Sequence, residues 1–251
     1  MTRTFVAMTG TALVLALAPC AAAQTADEIV EKHLAAMGGR AALSKLTGQV
    51  ATGTVVVSAQ GADIPGSVEI SRKAPNKGRT LMKLDLSAFG AGEMIVDQRC
   101  DGKTAFSSNS MQGDREIAGD QLQSMLNASY PTPLLAYKEA GTTIELQGKD
   151  QIGGRAVIVL LYTPKTGPAS RMFFDAETFL LARAMTKLNV PEAGGVIEQT
   201  SDVSDYRDVA GVKVAFSIRS TSPAQTVAIT LSKVEINAPI DDAIFSRPLV
   251  K

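Results

Sequence analysis

The middle of the chain has the pattern of a β-hairpin. Two segments of alternating apolar and polar residues, Glu93 to Gln98 and Thr104 to Ser108, flank an Asp101-Gly102 pair. An Asp-Gly pair between such segments favours a tight turn in which both central residues take positive φ. The same alternation recurs on both sides of this hairpin, so the sequence predicts a meander of antiparallel strands.

The remaining strand candidates share a period of two and are separated by segments rich in Gly and Pro, such as Gly61 to Gly66. They are Val50–Ser58, Ser67–Lys73, Arg79–Ser87, Thr143–Lys149, Arg155–Tyr162, Arg171–Asp175, Leu180–Lys187, Val196–Tyr206, Val212–Ser222 and Thr226–Ile236. Strands of about ten residues suit one large, strongly curved sheet. We therefore predict a mainly β fold with helices, in which a single large curved antiparallel sheet forms an unclosed β-barrel under a helical lid.

Two regions interrupt the strand pattern with helical periodicity. Thr25-Ala26-Asp27-Glu28 is a capping-box pattern that predicts a helix ending at Gly38-Gly39. Asp120 is the expected N-cap of a second amphipathic helix. A third, shorter helix is expected from Leu134 to Glu139. The strong apolar faces of the second and third helices indicate that these two cover the sheet as a lid or plug.

The N-terminus has the pattern of an export signal. Arg3 precedes a short apolar run from Val6 to Leu17, and Ala21-Ala22-Ala23 offers a cleavage site of small residues. We predict a signal peptide over residues 1–23, a single domain over residues 24–251, and a periplasmic location. The segment ending at Cys20 also resembles a lipobox, so lipid anchoring at Cys20 is a second interpretation.

Composition and residue spacing exclude several classes of function. The formal net charge is zero, which argues against nucleic acid as a partner. The single histidine, His33, has no partner at metal-ligand spacing, and Cys100, the only cysteine after residue 23, has no base beside it. We therefore predict no catalytic residues, no metal and no cofactor, and a protein that is not an enzyme.

The order of elements resembles the LolA/LolB lipoprotein-carrier superfamily of the bacterial envelope. The segments that carry the resemblance are Lys73-Ala74-Pro75-Asn76, Asp101-Gly102-Lys103-Thr104, Asp175-Ala176-Glu177-Thr178, Tyr206-Arg207-Asp208-Val209-Ala210-Gly211-Val212 and Ile244-Phe245-Ser246-Arg247-Pro248. Their order extends along essentially the whole chain after residue 23. The resemblance implies an unclosed antiparallel barrel whose mouth is covered by helices, with an apolar cavity for lipid acyl chains.

The chain also departs from the carriers at a position that matters to them. The carriers have an arginine that helps to latch the lid, and the matching position here is Ala74. Arg72 is the nearest arginine and becomes the candidate for the lid latch. The chain has few aromatic residues compared with the carriers, which favours lipid binding over lipoprotein handover itself.

Candidate cavity residues are the apolar side chains of the first meander and of the helical interruption, with Met172 from the second meander. They are Val68, Ile70, Met82, Leu84, Leu86, Met94, Val96, Phe106, Leu122, Met125 and Met172. Methionine adapts to varied acyl chains, although an apolar stripe is also typical of an ordinary core.

Two functions follow from this set. The first is a monomeric periplasmic carrier of lipid or of the acyl chains of a lipoprotein, with a membrane protein of the envelope as a further partner. The alternative is a non-catalytic structural or interaction domain with a filled core, acting through its open sheet edge or its surface loops.

Overall fold

The computed structural model describes residues 24–191 and 194–247. Its strands form one 13-stranded sheet in the order β6-β5-β4-β3-β2-β1-β13-β12-β11-β10-β9-β8-β7. The strands are β1 (Gly48–Ala59), β2 (Ala62–Lys73), β3 (Lys77–Asp85), β4 (Glu93–Cys100), β5 (Ala105–Asn109), β6 (Gly113–Ile117), β7 (Thr143–Ile152), β8 (Arg155–Thr163), β9 (Ser170–Asp175), β10 (Leu181–Val190), β11 (Gly195–Val209), β12 (Val212–Thr221) and β13 (Thr226–Ile236).

Every strand pairing is antiparallel, and β6 and β7 are the two edges of the sheet. The predicted fold class, one large unclosed antiparallel sheet with helices lying on it, is confirmed. The predicted signal peptide and Cys20 lie outside the described residues.

Three α-helices and three short 3-10 helices complete the described chain. The α-helices are α1 (Ala26–Ala36), α2 (Arg40–Leu43) and α3 (Gly119–Asn127), and the 3-10 helices are Ser87–Phe89, Pro133–Ala136 and Asp242–Phe245. Among the described residues, none of these helices has the length and apolar character needed to cross a bilayer.

The start of α1 follows the sequence. The Thr25 hydroxyl accepts the Glu28 N–H, and the Glu28 carboxylate accepts the Thr25 N–H, both at 3.2 Å, which is the predicted capping box. The start of α3 differs from the prediction, because its N-cap is Ala118 and Asp120 lies inside the first turn. The Asp120 carboxylate instead accepts the backbone N–H of Asn189 at 2.8 Å.

The remaining differences from the prediction are local. The segment predicted as a short helix from Leu134 to Glu139 is the 3-10 helix Pro133–Ala136. In the central hairpin only Gly102 takes positive φ, at 94°. The Asp101 carboxylate accepts the N–H groups of Lys103 and Thr104, both at 2.8 Å, and this closes a four-residue loop in place of the tight turn.

Strand register assigns side chains to the two faces of the sheet. Residues directly opposite in neighbouring strands share a face, and successive residues alternate between faces. Met82 is opposite both Val68 and Val96, so these three side chains share one face. We call it the inner face, because α1 and α3 pack on the residues of that face. The other face is the outer face.

The inner face under α1 is filled. Ile29, Val30 and Leu34 of α1 are fully buried, and they belong to one apolar cluster with Leu160 and Phe174 of the sheet. The Phe174 ring also meets the His33 ring edge-on, with centroids 4.9 Å apart. The helix therefore acts as a fixed plug over this half of the sheet.

Candidate functional site

Three adjoining cavities lie on the inner face beside and beneath α3. Their volumes are about 440, 210 and 440 Å³, and Gln98 of β4 lines all three. Met125 of α3 lines the first and second cavities, and Arg115 of β6 lines the first and third. We call the three together the trough. The two larger cavities fall in the range of small-molecule sites in proteins.

One wall of the trough is apolar because the inner-face positions of β1, β3, β4 and β13 carry aliphatic and thioether side chains. The third cavity is lined on this side by Val57, Met82, Leu84, Met94, Val96 and Val227. Its two methionines can change rotamer at low cost, which lets the wall fit different apolar shapes.

The opposite wall of the trough is polar, which the sequence did not lead us to expect. The first cavity is lined there by Gln199, Ser220, Thr221, Ser222 and Gln225. The sequence analysis named only apolar residues as candidates for the cavity, so these polar residues were missed. The trough is therefore amphipathic across its width.

The structure brings together most of the predicted cavity residues. Met82, Leu84, Met94 and Val96 line the third cavity, and Ile70 and Met125 line the second. The following residues support the wall from within the core without lining a cavity: Val68 and Leu86, which are buried, and Leu122, which packs on Cys100 and Ile117.

Two predicted cavity residues lie elsewhere. Met172 shares the inner face but packs against the cluster under α1, away from the trough. Phe106 is opposite Arg99 and Glu116, which places it on the outer face, where the Arg247 guanidinium stacks 5.3 Å from its ring centroid. Phe106 is therefore not part of the trough, contrary to the prediction.

In the described part of the chain, the hydrogen bonds between the lid region and the sheet do not involve Arg72, the predicted latch residue. Arg72 donates no hydrogen bond to any described residue of the lid region. Asn76 in the β2–β3 turn does so, because its side-chain amide donates to the carbonyls of Leu126 at 3.2 Å and Gly102 at 3.3 Å. The Pro75 carbonyl accepts the Tyr130 N–H at 2.7 Å.

Helix α3 bridges the two halves of the sheet. It follows the edge strand β6 directly and reaches β10 through the Asp120–Asn189 hydrogen bond. Its C-terminal end reaches the β8–β9 loop, where the Asn127 amide donates to the Thr166 carbonyl at 2.8 Å. No residue of α3 is fully buried, so its attachment consists of partly exposed apolar contacts and polar contacts at both ends.

The charged side chains that line the trough are basic. Among the described residues that line the three cavities, none is Asp or Glu. The nearest buried carboxylate, Asp97, points to the outer face between Arg79 and Arg99. Burial would raise the pKa of Asp97, but the hydrogen bonds from both arginines outweigh it and lower the pKa.

The groups considered for catalysis or metal binding are held in packing roles. Burial raises the pKa of the Cys100 thiol, which is 2% exposed in the cluster under α3. Burial lowers the pKa of His33, and its Nδ1 donates to the Phe179 carbonyl at 2.9 Å. Within residues 24–191 and 194–247, no group of three His, Cys, Asp or Glu residues has the arrangement of a metal site.

Comparison with known proteins identifies the fold through structure. No family model matches the sequence, and no curated protein matches it. A LolA superfamily protein from Nitrosomonas europaea is similar in structure, with a TM-score of 0.56 and 13% identity over 90% of this chain and 99% of that one. A DUF1329 family protein from Desulfovibrio piger is also similar in structure, with a TM-score of 0.55 and 14% identity over 88% of this chain and 97% of that one.

A third solved structure is a domain assigned to outer-membrane lipoprotein sorting, from Vibrio parahaemolyticus. It has a TM-score of 0.53 and 10% identity, covering 88% of this chain and 95% of that one. At such identities the similarity establishes architecture. The chain has a LolA-like fold.

Proposed function

We propose that this protein is a non-catalytic periplasmic carrier that binds a lipid, or the acyl chain of a lipoprotein, in the trough under α3. The observation that carries the proposal is the set of adjoining cavities with an apolar wall on the inner face. A barrel with a filled core would not contain these cavities. A purely structural domain would have no need of them.

The binding energy comes from burial of the acyl chain. Each methylene that leaves water contributes about 0.8 kcal/mol, so a wall that covers half of a long chain supplies micromolar affinity after the cost of association. Side chains such as Met82 and Met94 can adjust to the chain without loss of other contacts.

Entry and release of the ligand take place by movement of α3. The helix buries no residue completely and is held to the far half of the sheet by Asp120 and Asn127. Hydrogen bonds that are partly exposed to water contribute about 1 kcal/mol each, so the lid opens at modest cost. Helix α1 stays in place during this movement, because its apolar face is fully buried.

A location in the cell envelope fits both this fold and the N-terminal pattern. The carrier receives its lipid from, and delivers it to, a membrane protein or the membrane itself. Anchoring through an acylated Cys20 is the alternative to free diffusion in the periplasm, and mass spectrometry of the N-terminal peptide distinguishes the two.

The test is ligand uptake by the protein purified without detergent. Native mass spectrometry before and after organic extraction detects any lipid that copurifies, and added monoacylglycerol tests uptake of a neutral chain. We expect Met94→Glu to abolish uptake, because the charge enters the apolar wall of the third cavity.

The matched control is Ile95→Glu. Ile95 is the next residue on the same strand, faces outward and is 38% exposed. It should bind lipid like the parent protein. Absence of any bound or added lipid in the parent protein, or normal uptake by folded Met94→Glu, would contradict the proposal and favour the structural alternative.

A further inference from the structure

Arg72 occupies an unusual position in the trough. It lies near the end of β2 on the inner face and lines the 210 Å³ cavity. Its side chain is exposed to solvent within the cavity. The surrounding protein lowers the pKa of its guanidinium by desolvation, and an arginine nevertheless keeps its charge.

The other two cations that line this cavity already have carboxylate partners. Lys77 pairs with Asp242 at 2.7 Å, and Arg79 pairs with Asp97 at 2.8 Å. Arg72 has no ion pair and donates no hydrogen bond to any residue in the described ranges. Because Arg72 has no protein partner in that part of the chain, its guanidinium can form charge-assisted hydrogen bonds with an anion that enters the cavity.

Space for such an anion exists directly beside Arg72. Its opposite neighbour on β3 is Gly78, and a Cβ atom placed on Gly78 would have no heavy atom within 4 Å other than those of its chain neighbours. The next residue in the same row is Cys100 of β4, which is small. The row of side chains that covers the sheet therefore has a gap beside Arg72.

The charge of the whole trough favours an anion and disfavours a cation. Arg72 and Arg115 line it, and no carboxylate does among the described lining residues. The net charge of the chain is zero, so this excess is a local property of the trough.

We propose that the trough takes a single-chain amphiphile with an anionic head group, a carboxylate or a phosphate monoester, whose head pairs with Arg72 and whose tail lies along the apolar wall. This inference deepens the proposed carrier function and rests on it. From Gly78 to Leu84 the strand extends about 20 Å at 3.3 Å per residue. One acyl chain fills half of a bilayer core of about 30 Å, so it fits this length.

The test compares three ligands of equal chain length: palmitate, hexadecanol and hexadecyl phosphate. Their affinities for the full protein are measured by displacement of a fluorescent fatty-acid probe. We expect Arg72→Gln to weaken palmitate or hexadecyl phosphate at least about tenfold, the effect of one charge-assisted hydrogen bond, and to leave hexadecanol within about twofold. Whichever anion binds more tightly to the parent protein identifies the head group.

Two further variants separate the charge at this site from charge and folding in general. Arg219→Gln removes an equally exposed arginine from the outer face and should leave all three affinities unchanged. Gly78→Val keeps the charge but fills the gap, so it should weaken the preferred anion even if Arg72→Gln were to fold poorly.

The outcomes distinguish this inference from the function on which it rests. Equal affinity of the parent protein for palmitate, hexadecyl phosphate and hexadecanol, or an equal loss of all three in Arg72→Gln, overturns the anion site but leaves the carrier function standing. Failure of all three ligands to bind the parent protein overturns both.

Discussion

Helices α1 and α3 lie on the same inner face of the same sheet, yet they are held there by different means. α1 has 11 residues, begins with a capping box and buries Ile29, Val30, His33 and Leu34. α3 has 9 residues, has no side-chain cap and buries none of its residues fully. A fully buried aliphatic side chain contributes about 1.5–3 kcal/mol to the free energy of unfolding. Helix α1 is therefore held by several buried side chains, whereas α3 is held only by partly exposed contacts. The sheet thus carries one helix fixed by buried apolar side chains and one held by partly exposed contacts, which is the helix that we propose as the moving lid.

Truncation of one leucine in each helix tests the comparison most directly. Leu34→Ala should lower the free energy of unfolding by about 3 kcal/mol, since it opens a cavity in a fully buried site. Leu122→Ala, at a half-buried position of α3, should cost about 1 kcal/mol. Urea denaturation followed by circular dichroism measures both, and equal losses would refute the distinction between plug and lid.

Acid should weaken α1 in particular. Burial places the pKa of His33 in the folded protein below its ordinary value of 6.5, and the hydrogen bond to Phe179 offsets this only in part. Between the folded and unfolded pKa values the unfolded chain binds more protons, so stability falls as pH decreases below about 6.5. The slope reaches at most about 1.4 kcal/mol per pH unit.

The variant His33→Gln does not titrate and therefore isolates this contribution. If another group were responsible, the unfolding free energies of the variant and of the parent protein would fall by the same amount as the pH decreases below 6.5. We expect instead that the parent protein loses stability more steeply than His33→Gln as the pH falls.

Giving α3 the cap that it lacks should make it more like α1. Ala118 has the extended backbone of an N-cap, with φ −132° and ψ −179°, so Ala118→Asp should stabilise the helix by about 0.5–1 kcal/mol. Hydrogen exchange of the α3 amides should slow, and bound lipid should dissociate more slowly. Thr25→Ala is the converse change, because it removes the N-cap of α1. If hydrogen exchange of the α3 amides were unchanged in Ala118→Asp, the missing N-cap would not be what limits the opening of α3.

The smallest effect is expected at the far end of the lid. Asn127→Ala removes the hydrogen bond to the Thr166 carbonyl, which lies at the surface and adds about 0.5 kcal/mol to global stability. Lipid dissociation should nevertheless accelerate about twofold, because that bond must break each time α3 opens. Stopped-flow displacement of a fluorescent fatty acid measures this rate. A slower rate would mean that Asn127 assists opening.

Most strands and α1 follow from sequence because local pattern and tertiary structure agree there. Alternation in β1 to β4 reflects one packed face, and the capping box of α1 needs only residues three apart in the chain. The strand β6 was missed because Gly113, Asp114, Arg115 and Glu116 are all exposed and leave no alternation to read. β2 begins earlier than predicted, because Pro65 and Gly66 remain paired with β1.

The trough was harder to predict, because it depends on contacts between distant residues. Asp120 looks like an N-cap locally, but its partner is Asn189, 69 residues away. The polar wall consists of residues such as Gln199 and Ser220, whose inner position is decided by register across several strands. Phe106 was placed in the cavity wall with the methionines, but its register opposite Arg99 puts its side chain on the outer face.

An unclosed sheet leaves the backbone donors and acceptors of β6 and β7 free to recruit a strand from another molecule. Both edges are poor templates for such recruitment. β6 has only five residues with consecutive charges at Asp114, Arg115 and Glu116, and β7 is interrupted by an irregularity between Leu146 and Gly148. Charges and bulges of this kind discourage pairing and the aggregation that follows from it. An unclosed sheet of this size can thus keep both of its edges exposed without pairing edge to edge with other copies.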